Sequence, residues 1–157
     1  MFKINIVAVG KVKENYFLDG INEYAKRISK YAQLNIYEVK EENFSQIDSP
    51  SMREKIMELE GEQIIKKLKG KVVSLCIEGE KMSSEKFAKF IKKSLDLGEE
   101  ITFVIGGSYG ISNKVKALSK DKLSFSDMTF PHTMARLILT EQIYRAFTIL
   151  NSTTYHK

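Results

Sequence analysis

Residues Leu123 to Lys157 read LSFSDMTFPHTMARLILTEQIYRAFTILNSTTYHK. A short apolar segment runs into a polar loop, the loop stops at a proline, and a long helical pattern leads to a tail ending in ionisable side chains. In the loop, Ser124, Ser126, Asp127 and Thr129 are turn-formers able to bond their own backbone. They alternate with Phe125, Met128 and Phe130, which are expected to be buried. Pro131 suits the first position of a helix, where its missing N–H costs nothing, and it keeps Phe130 out of helical geometry. A rigid loop that stops at a helix N-terminus leaves backbone groups unpaired and available to a ligand. An ordinary capped helix entry has the same pattern.

The helix expected from about Pro131 to Leu150 carries Leu139, Ile143, Ala146, Phe147 and Leu150 on one apolar stripe. Met134, Leu137, Ile138 and Tyr144 form a second stripe on another side. A helix apolar on two sides is covered on two sides, and in so short a chain the second cover could be another copy of itself. Glu141 and Arg145 stand one turn apart in the order that favours an ion pair. Arg136 points to the opposite side from Arg145. Asn151 to Thr154 do not continue the helix, and Tyr155, His156 and Lys157 then bring a phenol, an imidazole and an ammonium to a chain end that would ordinarily fray.

Upstream, strand and helix patterns alternate. Strands are expected at Phe2–Val9, Leu34–Val39, Lys71–Ile77, Ile101–Ile105 and near Leu123–Ser126. Helices are expected through Leu18–Ile28, through Met52–Leu68 with Gly61 weakening its interior, from a Ser83 or Ser84 cap to Leu95, and at Asn113–Ser119. A polar connection, Glu41 to Ser51, joins the second strand to the second helix. That alternation makes an α/β fold with a helix-covered parallel sheet. With 157 residues and no internal repeat or linker, residues 1–157 form a single domain.

The composition narrows the function. At 43% hydrophobic and 29% charged the chain is globular. A formal charge of +5 and a pI near 9.1 suit a polyanionic partner without requiring one. The lysines gather at Lys66, Lys67, Lys69 and Lys71, at Lys86, Lys89, Lys92 and Lys93, and at Lys114, Lys116, Lys120 and Lys122. Each group could meet phosphate or be a solvated face. Cys76, the only cysteine, is expected in the core, so there is no disulfide framework. Two histidines and one cysteine give no metal ligand set. With no signal peptide and no membrane-length apolar run, a cytoplasmic protein is expected.

Parallel sheets bind ligands beyond the carboxyl ends of their strands. Three such ends stand out: Leu75 to Glu80, Ile105 to Gly110 with its glycines, and the loop Ser126 to Phe130. Glycines at a strand end let the backbone turn tightly and approach a ligand closely. GGSYG is not GxGxxG and most of the sheet precedes it, which argues against a dinucleotide fold. No GK[ST] follows, so there is no P-loop, and no GxSxG elbow marks a hydrolase.

FVIGGSYGIS, LSFSDMTFPH, RLILTEQIYRAF and YHK, in that order, together with the opening KINIVAVGKVKENY, resemble the SPOUT-class methyltransferases of the RlmH family over essentially the whole chain. That resemblance implies an α/β knot fold with a C-terminal trefoil knot. It implies a homodimer that binds S-adenosylmethionine and methylates N3 of a pseudouridine in helix 69 of 23S ribosomal RNA on the ribosome. The matching cofactor positions are Leu75, Gly106, Gly107, Gly110, Phe125, Ser126, Asp127, Met128, Thr129 and Phe130. N3 must lose a proton, so a base or a stabilising cation is needed. His156 suits a base near neutrality, Tyr155 could orient the acceptor, Arg145 and Lys157 could hold negative charge, and His132 is read as structural. Two departures are small: Tyr109 is bulky where the family often has a small, polar or acidic residue, and Thr154 stands where a proline often precedes the YH pair. Two other readings stay open, a SPOUT methyltransferase of another RNA such as tRNA, and a non-catalytic ribosome-binding protein.

Overall fold

The structure, a computed structural model of the chain, describes residues 1–43 and 48–157. Part of the expected Glu41–Ser51 connection, residues 44–47, lies outside the described residues. Five strands, β1 (Lys3–Val9), β2 (Gln33–Val39), β3 (Lys71–Lys81), β4 (Ile101–Ile105) and β5 (Asp121–Ser124), form one sheet in the order β2-β1-β4-β3-β5. Every pairing is parallel, as expected where strands are separated by helices.

Side-chain alternation along each strand decides which helix packs where. Ile4, Ile6 and Ala8 of β1 and Phe103 of β4 face a core closed by Ile28 of α1 (Asn15–Ile28), Phe87 and Ile91 of α3 (Ser84–Leu97), and Leu139, Ile143 and Phe147 of α5 (His132–Leu150). Val7, Val9 and Val104 face the other way, onto Ile64 of α2 (Pro50–Ile65) and Val115 of α4 (Asn113–Leu118). The central strands are therefore apolar on both faces, which explains their continuous runs of Val and Ile.

Four expectations shift. Pro131 is the N-cap, with φ −54° and ψ 143°, and the helix begins at His132. Its carbonyl accepts the Ala135 N–H at 2.9 Å and so starts the helical ladder from just outside. The fifth strand ends at Ser124, earlier than expected, because Ser124 Oγ donates to the Ser126 carbonyl and Ser126 Oγ accepts the Met128 N–H, both at 3.0 Å. The third strand runs on to Lys81, but Leu123 pairs with both Leu75 and Glu80, so Cys76 to Gly79 loop out between two paired stretches. A Cβ on Gly79 would stand 2.6 Å from the Leu123 carbonyl carbon, and only glycine lets the two backbones pass. Gly61 does not weaken α2 for nothing: a Cβ there would lie 2.5 Å from Ser112 Oγ, at the entry to α4.

No residue of α5 is exposed. Leu139, Ile143, Ala146 and Phe147 of the first stripe are buried in the core, whereas Met134, Leu137, Ile138 and Tyr144 of the second are only half-buried.

Candidate active site

A cavity of about 790 Å³ opens beyond the carboxyl ends of β3, β4 and β5. Its floor is built by glycine. A Cβ on Gly106 would stand 2.6 Å from the Gly110 carbonyl carbon. Gly110, at φ +92°, returns its N–H to the Gly107 carbonyl at 3.0 Å. The loop therefore folds flat on itself and presents backbone to the cavity. Opposite it, the Phe125–Phe130 loop is pinned by the two serine bonds just described, and Pro131 hands it to α5.

Of the expected cofactor positions, Leu75, Gly106, Gly107, Gly110, Phe125, Ser126, Met128, Thr129 and Phe130 all line the cavity. Asp127 does not. Its side chain is 82% exposed and pairs with Lys81. Met128 was expected to be buried and is 73% exposed at the cavity rim, because the serine turn at 126 carries it outward. Cys76 was expected in the core and instead is half-buried on the cavity wall, being the first residue of the β3 excursion. Burial and the nearby Glu78 carboxylate push its thiol pKa up, so it stays a thiol near neutrality. Glu78 and Lys116, ion-paired to each other, and His132 also line the cavity. The excursion that carries Glu78 is invisible to periodicity; His132, read as structural from the sequence, lines the cavity as well.

The tail is docked. The Tyr155 hydroxyl donates to Glu141 Oε1 at 3.0 Å, and Tyr24 lies 3.5 Å from it. Burial and these neighbours push its pKa far up, so it acts as a neutral phenol. Arg145 bonds Glu141 Oε1 through Nε at 3.0 Å and Nη2 at 2.6 Å, with its guanidinium 4.8 Å from the Tyr155 ring centre. The Glu141 carboxylate raises the Arg145 pKa further, so its charge is fixed. His156 Nδ1 lies 3.2 Å from Arg145 Nη1, and Nε2 lies 2.8 Å from Glu85 Oε1. A guanidinium only donates. Nδ1 therefore accepts, and Nε2 carries the proton and donates to Glu85, whose pKa is lowered by that bond. Lys157 is exposed.

The four expected catalytic residues, Arg145, Tyr155, His156 and Lys157, belong to this one cluster or follow it directly in the chain. None of them lines the cavity. The cavity touches His132 and Ala135 at the start of α5, and the cluster hangs from its far end. Nineteen helical residues put roughly 28 Å between the two ends. Arg136, the other arginine of the helix, is 3% exposed and structural: it bonds Glu38 at 2.6 Å and the Gly10 carbonyl at 3.0 Å.

Four lysines of the basic groups are held by acids. Lys71 is only 8% exposed, 3.5 Å from Asp121, and leaves the first cluster. Lys86 pairs with Glu80, Lys92 with Asp96 and Lys116 with Glu78. Lys67 and Lys69 lie against the Tyr37 ring, 5.9 and 5.8 Å from its centre. Among the described residues there is no group of three or more potential metal ligands, and no helix is long and apolar enough to cross a membrane.

A family model described as "Predicted SPOUT methyltransferase" matches residues 2–156. The chain is 49% identical to a putative ribosomal RNA large subunit methyltransferase H from Methanococcus maripaludis, over 98% of this chain and 99% of that protein. It is also 49% identical to the ribosomal RNA large subunit methyltransferase H of Carboxydothermus hydrogenoformans, over 99% of each. Among solved structures, a probable methylase family protein from Haemophilus influenzae superposes with a TM-score of 0.50 at 12% identity, over 95% of this chain and 66% of that one. A putative methyltransferase from Legionella pneumophila, solved with bound SAM, gives a TM-score of 0.50 at 11% identity, over 92% of this chain and 66% of that one. These two share the fold.

Proposed function

We propose that this chain, which belongs to the SPOUT methyltransferase family and within it to the ribosomal RNA large subunit methyltransferase H relatives, methylates N3 of a pseudouridine in helix 69 of 23S ribosomal RNA on the ribosome, as a homodimer. The observation that carries the reading is the division of labour along α5. The cavity is at its start, and the titratable tail is at its end.

The cavity suits S-adenosylmethionine. Its volume falls within the roughly 300–1,000 Å³ of small-molecule sites, and glycines 106 and 107, where a Cβ would press on Gly110 and on Glu60, let the loop pack closely and turn its backbone to the cavity. Bound there, the cofactor would supply a methyl group activated by a sulfonium. The Gly106–Gly110 and Phe125–Phe130 backbones would hold and orient it, and Leu75 and Phe130 would exclude water. The acceptor base then needs a group that takes its N3 proton. His156 takes it at Nδ1 once that lone pair is released from Arg145. Glu85 keeps the other nitrogen protonated and aimed. Arg145, its charge fixed by Glu141, faces the negative charge that develops on the ring. Tyr155 donates rather than accepts, and positions.

Within one subunit the tail and the cavity sit too far apart for this chemistry. Two copies that pair their α5 helices antiparallel bring the tail of each to the cavity of the other. The same reading includes a trefoil knot, with the β5–α5 segment threaded past the β3 excursion, where Gly79 and Leu123 touch. A complementation experiment tests the shared site. Gly106→Val disables the cavity and His156→Ala disables the tail. Each variant alone is expected to be inactive, and mixed dimers to recover activity. Mixed dimers without activity contradict the shared site.

A further inference from the structure

Glu60, on α2, is 2% exposed. Its Oε2 accepts the Glu42 N–H at 3.1 Å, and its Oε1 is buried with no hydrogen-bond partner among the described residues. Both oxygens press on the glycine loop: a Cβ on Gly107 would stand 3.0 Å from Oε1 and 3.2 Å from Oε2. Gly107 also lines the cavity.

Among the described residues, the charged groups that act on Glu60 are acids. Glu41 and Glu42, in the segment after β2, both act on Glu60 with like charge. Glu41 reaches the same loop, where Ser108 Oγ donates to its Oε1 at 3.3 Å. β1 presents apolar Val9, and α4 presents the Ser112 hydroxyl beside Gly61. Beyond Glu41 stands His132, near Gly10, and the nearby Arg136 is committed to Glu38 and the Gly10 carbonyl. A buried carboxylate without a cation and with one oxygen unpaired is costly, whereas a carboxylic acid at the same place is not.

We propose that Glu60 is a positioning residue for the cofactor-binding glycine loop: in its neutral form it seats Gly107, and ionisation unseats the loop and weakens cofactor binding. The inference rests on the cofactor reading given above. Burial, with Glu41 and Glu42 adding like charge, raises the Glu60 pKa to about 7, which places the change in the neutral range. An ionised Glu60 must be hydrated, and water admitted beside it displaces the loop that it supports. This predicts that affinity falls as pH rises through about 7, whatever the charge of the ligand.

The test is calorimetric binding of S-adenosylmethionine and of S-adenosylhomocysteine, which lacks the sulfonium charge, from about pH 6 to about pH 8.5. In the wild-type protein both affinities are expected to drop together, by about tenfold. In Glu60→Gln both are expected to stay flat at the wild-type low-pH value. Equal pH dependence in the two proteins overturns the proposal, as does a Glu60→Gln protein that binds weakly at every pH. S-adenosylmethionine affinity that rises with pH while S-adenosylhomocysteine affinity stays constant also overturns it, since that is attraction through space to the sulfonium. Wild-type protein that binds neither ligand removes the cofactor reading itself; binding without pH dependence removes only this inference. Should Glu60→Gln not fold, the coupling is read from Glu60→Ala and Gly107→Ala. Gly107→Ala is expected to cost less affinity once Glu60 is shortened, and equal losses in both backgrounds contradict the proposal.

Discussion

At His156 both ring nitrogens are engaged, Nε2 with the Glu85 carboxylate and Nδ1 with the Arg145 guanidinium. In the proposed mechanism, proton uptake at Nδ1 would bring an imidazolium against Arg145, so the ring would have to be drawn away from the guanidinium first. His156→Ala is expected to lower turnover by about 10²–10⁴-fold and to leave cofactor affinity at the wild-type value; an equal loss in both would make the tail structural. Tyr155→Phe keeps the ring edge-on against Tyr144 and is expected to cost far less than His156→Ala in the same turnover assay. Glu60 makes a separate prediction about stability. Its folded pKa of about 7 is above the ordinary carboxyl value, so the native state holds a proton that the unfolded chain has lost. Below about pH 4.5 both states are protonated and nothing is lost. Between there and pH 7 wild-type stability falls, and above it the full cost, on the order of 3 kcal/mol, applies. Thermal melts should show Glu60→Gln gaining on wild type across that window and keeping a constant lead above it.

The elements hold together where backbones touch. At Gly79 the β3 excursion crosses β5 so closely that an alanine Cβ would meet Leu123 and Lys122 backbone within 2.8 Å. Gly79→Ala is expected to destabilise the fold by about 1–3 kcal/mol and to lower the melting temperature accordingly; an unchanged melt would show that the crossing can spread. Near the sheet's other edge Arg136 is buried and its partner Glu38 is partly exposed, 3% against 38% by side chain. Removing the exposed partner strands the buried charge, so Glu38→Ala should destabilise more than Arg136→Met, by up to about 3 kcal/mol. Element order and type were readable because the central strands are short continuous runs of Val and Ile bounded by turn residues, while the helices between them carry a 3.6-residue apolar period. The β3 excursion was not readable. Its residues, Cys76-Ile77-Glu78-Gly79, look like more strand, and only the pairing of Leu123 with two distant residues shows otherwise. The Phe125–Phe130 loop was legible through its serines, which do bond their own backbone, but not the outward turn that exposes Met128.

For the whole molecule, the cavity was legible as three strand ends and the tail as a run of ionisable groups, while their separation was not. Sequence motifs carry no distance, and it takes the 19-residue length of α5 to show that Gly106 and His156 stand at opposite ends of one subunit. Strand order was equally silent, since β4 lies between β1 and β3 through long crossovers that leave no local mark. Part of the basic surface is paired within the chain. Lys86, Lys92 and Lys116 are paired with acids, and exposed pairs of this kind contribute little to stability, so their lysines can exchange partners for phosphate. The affinity for RNA is therefore expected to fall steeply with added salt, measured as ribosome binding between low and physiological ionic strength. The central claim is that a cavity from one subunit and a tail from another deliver a methyl group to ribosomal RNA. It is tested most directly by transfer from labelled S-adenosylmethionine to ribosomes, free large subunits and free RNA from cells lacking the modification, with the labelled nucleoside mapped. Label at N3 of the helix 69 pseudouridine is the predicted result. Label on another RNA such as tRNA, or none anywhere from a protein that binds the cofactor, would contradict it.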